Sequence, residues 1–199
     1  LKVTRDTLIP RPDTERLVEL ALDLIPEKSQ WKILDLGTGT GAIALSLAKE
    51  RPSCFITATD QSITALYVAK QNTEDNKISN IEFIQSDWFS KLENQQFDII
   101  VSNPPYIKEN DPHLKQGDVR FEPDGALISG ETGLNAIQHI TMQAEKYLKP
   151  NGWLVFEHGY NQRKSVYNIF DKYGFREIVQ ITDLSGQPRI TAGCHAGNP

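Results

Sequence analysis

The amino-acid sequence predicts an α/β fold with a doubly wound, mostly parallel sheet of seven strands and an antiparallel strand at one edge. Strand-like and helix-like segments alternate along the 199 residues. The strand-like segments are short and continuously apolar, which is typical of a sheet that helices cover on both faces. Glycines follow the first of these segments, where the chain must turn tightly into a helix.

The first predicted helix covers residues 13–25. Pro12 stands at its start, acidic side chains fill its first turn, and Pro26 ends it. KILDL at 32–36 is a short apolar run that ends in glycines, which predicts the first strand. The second predicted helix is AIALSLAKE at 42–50.

The middle of the chain continues the alternation. FITAT at 55–59 is short and β-branched, which predicts a strand. Residues 62–72 return to a helical pattern, with Ser62 as the N-cap. IEFIQ at 81–85 and FDIIVS at 97–102 are predicted as the third and fourth strands.

A helix is predicted over 134–149, because apolar side chains recur there at helical spacing. Lys146 and Lys149 lie near its negative end, and Pro150 follows it. WLVFEH at 153–158 is predicted as the fifth strand.

The end of the chain completes the predicted sheet. A helix near 161–173 precedes two strands, 175–182 and 188–193, which DLSGQ joins. Two strands so closely connected are expected to pair antiparallel at an edge of the sheet. The whole chain, 1–199, is expected to form a single domain.

Two segments outside the regular alternation are expected to border a binding site. Residues 107–131 are polar, rich in Gly and Pro, and follow a strand end. Ligands of α/β sheets bind beyond the carboxyl ends of the strands, so this stretch is predicted to be a substrate-side loop. Residues 1–26 are expected to form an entry segment and the first helix.

Composition excludes several classes of protein. Hydrophobic residues make up 39% of the chain and charged residues 24%, which indicates a globular protein and not a disordered one. The net charge of −5 disfavours a general phosphate-binding surface. No apolar run approaches the roughly 18–20 residues of a membrane helix. Two distant cysteines and scattered histidines predict no metal site, and a cytoplasmic location is expected.

A glycine loop and an acid predict a nucleoside-containing cofactor. DLGTGTG at 35–41 lies between a strand and a helix, where glycines allow close approach to a ligand. Asp60 ends the next strand, where its carboxylate is placed to bind two ribose hydroxyls. Gly37, Gly39 and Ala42 also satisfy a dinucleotide pattern, so these features alone do not choose the cofactor.

Asp35 favours one cofactor over the other. A carboxylate directly before the loop would repel a pyrophosphate and suit a cationic group, such as the ammonium of a methionine moiety. The sequence therefore favours S-adenosyl-L-methionine over NAD.

The sequence Asn-Pro-Pro-Tyr at 103–106 directly follows a predicted strand. Two prolines make the turn stiff, and Asn103 adds a side-chain carbonyl to the backbone carbonyls of the turn. Two acceptors in a rigid array can hold both N–H bonds of a planar NH₂ group and aim its nitrogen lone pair at an electrophilic methyl group. Tyr106 could stack on the planar group.

Together these motifs resemble the class I, Rossmann-like S-adenosyl-L-methionine-dependent methyltransferases that act on planar NH₂ groups. Within that class the chain is most similar to the HemK/PrmC family, the protein-glutamine methyltransferases of peptide-chain release factors. The resemblance runs over essentially the whole chain, and its motifs are LIPRPDTE (8–15), ILDLGTGTGAIALSLA (33–48), QSDWF (85–89), VSNPPYI (101–107), DVRFEP (118–123) and FEHG (156–159).

The resemblance implies a role for each site residue. The methionine part of the cofactor would lie on the loop Gly37, Thr38, Gly39, Thr40 and Gly41, the ribose on Asp60, and the adenine beside Trp88. Asn103 would touch both cofactor and substrate, and Pro104, Pro105 and Tyr106 would clamp the glutamine amide. Catalysis would rest on Asn103, Pro104 and Tyr106, with S-adenosyl-L-homocysteine as the product.

The resemblance also implies the partner. The side-chain amide of the glutamine in the Gly-Gly-Gln motif of a release factor would be methylated by a monomer that binds neither nucleic acid stably nor a membrane. Family members usually carry a helical N-terminal domain that helps to dock the release factor. The present sequence is expected to be the catalytic domain without it.

Five further side chains have more than one interpretation. Arg11 and Glu15 could line the substrate entrance or belong to a solvated first helical turn. Arg120 and Glu122 could order the long loop, bind the substrate backbone or form a structural ion pair. His158 is expected to be a structural histidine, because the predicted transfer needs no such base.

Several alternatives remain at this level. A glutamine methyltransferase of a large-subunit ribosomal protein would share these motifs. A methyltransferase of exocyclic amines in DNA or RNA could use the same Asn-Pro-Pro-Tyr geometry, but the negative net charge and the lack of a target-recognition region disfavour it. An NAD-dependent dehydrogenase leaves that turn unexplained. A cofactor-binding protein without catalysis is disfavoured by the intact Asn103 and Tyr106.

Overall fold

The central sheet has seven strands in the order β3-β2-β1-β4-β5-β7-β6. The computed structural model of the chain describes residues 1–4, 7–115, 117, 120 and 122–197. The strands are β1 Lys32–Leu36, β2 Phe55–Asp60, β3 Ile81–Gln85, β4 Phe97–Ser102, β5 Leu148–Glu157, β6 Phe175–Thr182 and β7 Pro188–His195. The predicted α/β class with a seven-stranded, mostly parallel sheet is confirmed.

Strands β1 to β5 run parallel, and β7 runs antiparallel to both of its neighbours, β5 and β6. The predicted antiparallel pairing at this end of the sheet is therefore confirmed. The strand of opposite direction is β7, which lies one position in from the edge. The chain first forms β6 at the edge and then returns as β7 between β6 and β5.

Helices cover both faces of the sheet. The helical segments are α1 Pro12–Leu24, α2 Ala42–Glu50, α3 Ile63–Asp75, a 3-10 turn at Pro112–Lys115, α4 Asp124–Leu127, α5 Asn135–Tyr147 and α6 Arg163–Lys172. Helices α1 and α2 pack on one face and α5 and α6 on the other. Side chains alternate along β1 between the two faces of the sheet. Ile33 packs in the hydrophobic core under α1 and α2, and Leu34 and Leu36 pack in the core under α5 and α6.

The boundary between α5 and β5 differs from the prediction. The helix ends at Tyr147, and the strand begins at Leu148 instead of at residue 153. Leu148 pairs with Phe97 of β4, so strand pairing begins at a residue where the sequence still has a helical pattern. Lys149 consequently lies in the strand, where its Nζ donates to Asp98 at 2.7 Å instead of capping a helix.

The long loop after β4 is closed at its neck. Ile107 and Ile128 form an isolated bridge, with Ile107 N donating to Leu127 O and Ser129 N donating to Ile107 O, both at 2.9 Å. The stretch predicted as a loop thus contains the 3-10 turn and α4. Its α4 end returns to the carboxyl ends of the strands, where Gly125 and Ala126 border a cavity.

Candidate functional site

A cavity of about 280 Å³ lies at the carboxyl ends of β1, β2 and β4. Parallel strands end at the same edge of the sheet, so the turns that follow them meet there. Nine of the predicted site residues line this cavity, namely Gly37, Thr38, Gly39, Thr40, Asp60, Trp88, Asn103, Pro104 and Pro105. The predicted residues Gly41 and Tyr106 do not line it.

The glycine loop after β1 uses the left-handed conformations that glycine allows. Gly39 has φ +55°, and a Cβ placed on it would meet nothing within 4 Å. Gly41 has φ +82°, and its Cβ would lie 2.6 Å from Leu45 Cδ1. Gly41 caps the start of α2 and packs against that helix, so the cofactor contact expected of it stays a prediction.

Asp60 ties the end of β2 to the glycine loop. Its Oδ2 accepts a hydrogen bond from Gly39 N, and its Oδ1 accepts one from Ser62 N, both at 2.9 Å. Burial raises the pKa of this carboxyl, and the backbone hydrogen bonds act in the opposite direction. Because a carboxylate oxygen can accept more than one hydrogen bond, Asp60 keeps capacity for donors from the cavity.

Asp35 supports the loop from behind and does not line the cavity. Its Oδ2 accepts from Thr38 Oγ1 at 2.6 Å and from Ala44 N at 3.2 Å, and its buried Oδ1 has no partner among the described residues. Burial raises the pKa of Asp35 to about 7. Asp35 shares the Ile33 face of β1 and faces α2, so a contact with a cofactor ammonium stays a prediction and would have to run through water from this position.

Trp88 borders the cavity beside the glycine loop. Its backbone adopts φ +47°, a conformation that stores strain in a residue with a side chain. Ser86 Oγ donates to Trp88 O at 2.7 Å and holds the turn. A Cβ on Gly37 would lie 3.6 Å from Trp88 Cζ3, so the indole lies over this glycine as a flat apolar wall.

The Asn-Pro-Pro-Tyr turn follows β4, whose last residue Ser102 donates from Oγ to Leu36 O at 2.7 Å. Asn103 Nδ2 donates to Thr14 Oγ1 at 3.3 Å. Tyr106 turns away, and its hydroxyl donates to Glu157 Oε1 at 3.1 Å. Burial raises the pKa of Tyr106, and the neighbouring Glu157 carboxylate raises it further. The expected stacking of Tyr106 on a ligand therefore has no counterpart in the cavity wall.

Thr14 and Glu157 are residues of this site that the sequence analysis did not single out. Thr14 Oγ1 donates to Glu157 Oε2 at 2.7 Å, and both residues are buried. Each lies in a motif of the resemblance, RPDTE or FEHG, but neither draws attention alone. The available signal was Glu157 itself, since a carboxylate at the end of an apolar strand must find donors.

An ion pair joins the long loop to the segment that precedes α1. Arg11 Nη2 contacts both carboxylate oxygens of Glu122, at 2.8 and 2.9 Å, and Glu122 is buried. The structural ion pair expected of Glu122 is present, with Arg11 as its partner. Arg11 consequently does not belong to a solvated turn, whereas Glu15 is exposed. The DVRFEP motif falls partly outside the described residues, at 118, 119 and 121.

His158 is a structural histidine, as predicted. It is fully buried, Nε2 lies 2.8 Å from Thr191 Oγ1, and Nδ1 lies 3.0 Å from Gly159 O. Burial lowers its pKa, so its neutral form is favoured. In the described part of the chain, no group of three or more His, Cys, Asp or Glu side chains is placed to hold a metal ion. Across those same residues, no helix has the length and apolar character needed to span a membrane.

The chain is similar to known methyltransferases. A family model described as "Methyltransferase small domain" matches residues 16–120. The chain is 51% identical to the "Release factor glutamine methyltransferase" of Salmonella typhimurium over 193 residues, which cover 97% of this chain and 69% of that protein. The protein of that name from Vibrio cholerae is also 51% identical, over 97% of this chain and 68% of its own length.

A solved structure extends the similarity to three dimensions. It is the release-factor-specific protein-(glutamine-N5) methyltransferase from Alicyclobacillus acidocaldarius, with a TM-score of 0.59 and 29% sequence identity. The alignment covers 99% of this chain and 100% of that chain.

Proposed function

Because the chain belongs to the family of release factor glutamine methyltransferases, we propose that it methylates the glutamine side-chain amide in the Gly-Gly-Gln motif of a peptide-chain release factor, with S-adenosyl-L-methionine as the methyl donor. That the chain is a methyltransferase follows from its family. The observation that carries the choice of acceptor is the Asn103–Pro105 turn, which lines the same cavity as the glycine loop.

The cofactor fits the residues on the β1 and β2 side of the cavity. Gly37 to Thr40 would hold its methionine part, because the backbone there is open to the cavity at Gly39. Asp60 would accept the two ribose hydroxyls beside the hydrogen bonds that it receives from Gly39 N and Ser62 N. The indole of Trp88 would cover the adenine, while Gly41 and Asp35 shape the loop from behind.

When bound, S-adenosyl-L-methionine supplies an electrophilic methyl group on a sulfonium sulfur and leaves as S-adenosyl-L-homocysteine. The chain's task is to orient a weak nucleophile, since the lone pair of an amide nitrogen is delocalised into its carbonyl. Asn103 Oδ1 and the Pro104 carbonyl would accept the two N–H bonds of the glutamine amide. Among the described residues, none donates a hydrogen bond to the Pro104 carbonyl, so that acceptor is available to a substrate.

Rigid positioning is the main contribution of the turn. Pro104 and Pro105 have fixed φ and no N–H, so the two acceptors keep their separation while the substrate enters. Alignment of this kind contributes up to about 7–11 kcal/mol in ideal cases. Asn103 Oδ1 and the Pro104 carbonyl would keep the lone pair of the amide nitrogen aimed at the methyl group, and the N–H proton that the nitrogen loses on transfer would pass to water. Tyr106 would contribute by fixing the end of the turn through Glu157.

The organisation of the chain is part of the same proposal. Residues 1–199 would form one catalytic domain, because both helical layers pack on one sheet. Residues 1–26 and 107–131 would form its substrate side, since the Arg11–Glu122 ion pair joins these two segments next to the cavity. A release factor would enter between them as a transient partner of a monomer in the cytoplasm.

Transfer of a labelled methyl group tests the proposal. The chain is incubated with S-adenosyl-L-methionine labelled in its methyl group and with a release factor, either wild type or with Gln→Ala in its Gly-Gly-Gln motif. Label is expected on the wild-type release factor alone. Label on both forms, or on ribosomal protein or RNA in preference to either, would overturn the assignment.

A variant of the chain links the label to the turn. Asn103→Ala is expected to lower the transfer rate about 10²–10³-fold, as the loss of one preorganised hydrogen-bonding group does in comparable sites. The matched control is Asn168→Ala, which truncates an exposed asparagine on α6. An Asn103→Ala rate near that of the control would contradict the amide clamp.

A further inference from the structure

A chain of hydrogen bonds leads from the cavity wall to a buried carboxylate. Asn103 Nδ2 donates to Thr14 Oγ1 at 3.3 Å, and Thr14 Oγ1 donates to Glu157 Oε2 at 2.7 Å. Glu157 is fully buried, and Thr14 is 7% exposed. Only Asn103 of the three is an expected site residue, and the transfer described above assigns no step to Glu157.

The fold brings these residues together from three distant parts of the sequence. Val155 of β5 and Val101 of β4 belong to the core layer that α1 covers. Side chains alternate along a strand, so Glu157 lies on the same face as Val155 and meets α1 at Thr14. The α1 helix therefore inserts one hydroxyl between the end of β5 and the turn after β4.

The hydrogen-bonding capacities of the three groups determine which group donates in each of these hydrogen bonds. An ionised carboxylate only accepts hydrogen bonds, and a threonine hydroxyl has one proton to donate. When that proton goes to Glu157, the Thr14 oxygen can only accept from Asn103. The amide of Asn103 must then turn its NH₂ towards Thr14, which leaves Oδ1 for the other side.

The second carboxylate oxygen of Glu157 is also satisfied. Tyr106 OH donates to Oε1 at 3.1 Å, so both oxygens receive a donor inside the protein. Burial raises the pKa of Glu157, and the negative charge of Asp13 also raises it, while these two hydrogen bonds and the positive charge of Arg189 act in the opposite direction. One buried carboxylate thus holds both ends of the Asn-Pro-Pro-Tyr turn.

We propose that Thr14 and Glu157 are positioning residues that fix the orientation of the Asn103 amide, so that Oδ1 faces the substrate as an acceptor. The proposal rests on the proposed function, in which Asn103 receives a glutamine NH₂ group. An asparagine amide can flip with almost no change in shape. In the flipped orientation it would present NH₂ to the substrate NH₂, donor against donor, and the clamp would fail.

Two variants of Thr14 separate its hydroxyl from its shape. Thr14→Val keeps the branched side chain and removes the hydrogen bonds, and it is expected to lower kcat about 10-fold or more. The KM for the release factor and the Kd for S-adenosyl-L-methionine should each change less than about threefold, because the cavity walls remain. Thr14→Ser restores the hydroxyl and is expected to recover most of the lost kcat.

Thr141→Val is the matched control for burial. Thr141 is 1% exposed, and its hydroxyl donates within α5 to Ile137 O at 2.7 Å. Its kcat is expected to stay near that of the wild type. A Thr14→Val enzyme with wild-type kcat, or a Thr14→Ser enzyme as slow as Thr14→Val, would overturn the positioning role.

Neutron diffraction from deuterium-exchanged crystals of the wild-type chain gives a readout that does not depend on activity. The deuteron of Thr14 is expected to point at Glu157, and the ND₂ group of Asn103 is expected to face Thr14. The reverse orientation of Asn103 would overturn the proposal even in an active enzyme. Failure of the chain to methylate a release factor would overturn the proposed function while leaving this orientation measurable.

Discussion

Replacing Asp35 with asparagine should stabilise the protein at high pH. Asp35 is fully buried, and burial raises its pKa from 3.8 to about 7. The folded state therefore holds the Asp35 proton more tightly than the unfolded state does. The contribution of this group to stability is fully present below about pH 4, falls as the pH rises through the range between the two values, and is lost above about pH 7.

The magnitude follows from the same two pKa values. Each tenfold change in proton affinity is worth about 1.36 kcal/mol, so ionised Asp35 costs about 4 kcal/mol of unfolding free energy above pH 7. Between pH 5 and pH 8 the cost grows by about 2–3 kcal/mol. Asparagine carries no charge, but its NH₂ would occupy the place of Oδ1, which has no partner, at a cost of about 1–3 kcal/mol.

Urea unfolding at pH 5 and pH 8 measures both effects. The stability of Asp35→Asn relative to wild type is expected to rise by about 2–3 kcal/mol between these pH values and to be positive by about 1–3 kcal/mol at pH 8. Asp87→Asn is the control, since Asp87 is exposed, and it should show no such trend. A relative stability of Asp35→Asn that is independent of pH would refute the assigned burial cost.

Three further substitutions test other parts of the site. Asp60→Ala should weaken binding of S-adenosyl-L-methionine about 10- to 100-fold in calorimetry, because hydrogen bonds to a charged group are worth about 1.5–3 kcal/mol. An unchanged affinity would contradict the assignment of Asp60 to the ribose. Gly133→Ala should lower both the melting temperature and the transfer rate, because Gly133 has φ +73° and the new Cβ would lie 2.4 Å from Tyr106 O. A normal transfer rate would show that the Asn-Pro-Pro-Tyr turn works without the close packing at Gly133. Glu122→Gln should speed hydrogen exchange in α4 by weakening the ion pair with Arg11, and equal exchange would contradict the tie between the two segments.

Local patterns were enough to predict the sheet. Strands β1 and β4 are buried on both faces and leave short, mostly apolar runs in the sequence, as ILDL of β1 does. The end of α5 could not be predicted in the same way. Residues 134–149 keep a helical pattern up to Leu148, and only pairing with Phe97 on a distant strand draws Leu148 into the sheet.

The parts of the site that follow strand ends were predictable, and their cross-connections were not. Gly37, Asp60 and Asn103 each lie directly after or at the end of a strand, so the fold class brings them to one cavity. The Thr14–Glu157 contact joins residues 143 positions apart, and Tyr106 bonds to the same carboxylate from a third part of the chain. The direction of the Asp35 side chain was predictable, since alternation along β1 places it on the α2 face.

Locating the transferred methyl group tests the central claim most directly. A release factor treated with the chain and S-adenosyl-L-methionine is digested, and the peptide that contains the Gly-Gly-Gln motif is sequenced by tandem mass spectrometry. The account predicts the added mass of one methyl-for-hydrogen exchange on the side-chain amide of that glutamine, formed about 10²–10³-fold more slowly by the Asn103→Ala enzyme. A methyl group on any other residue, or an unmodified peptide beside an enzyme that binds the cofactor, would contradict it.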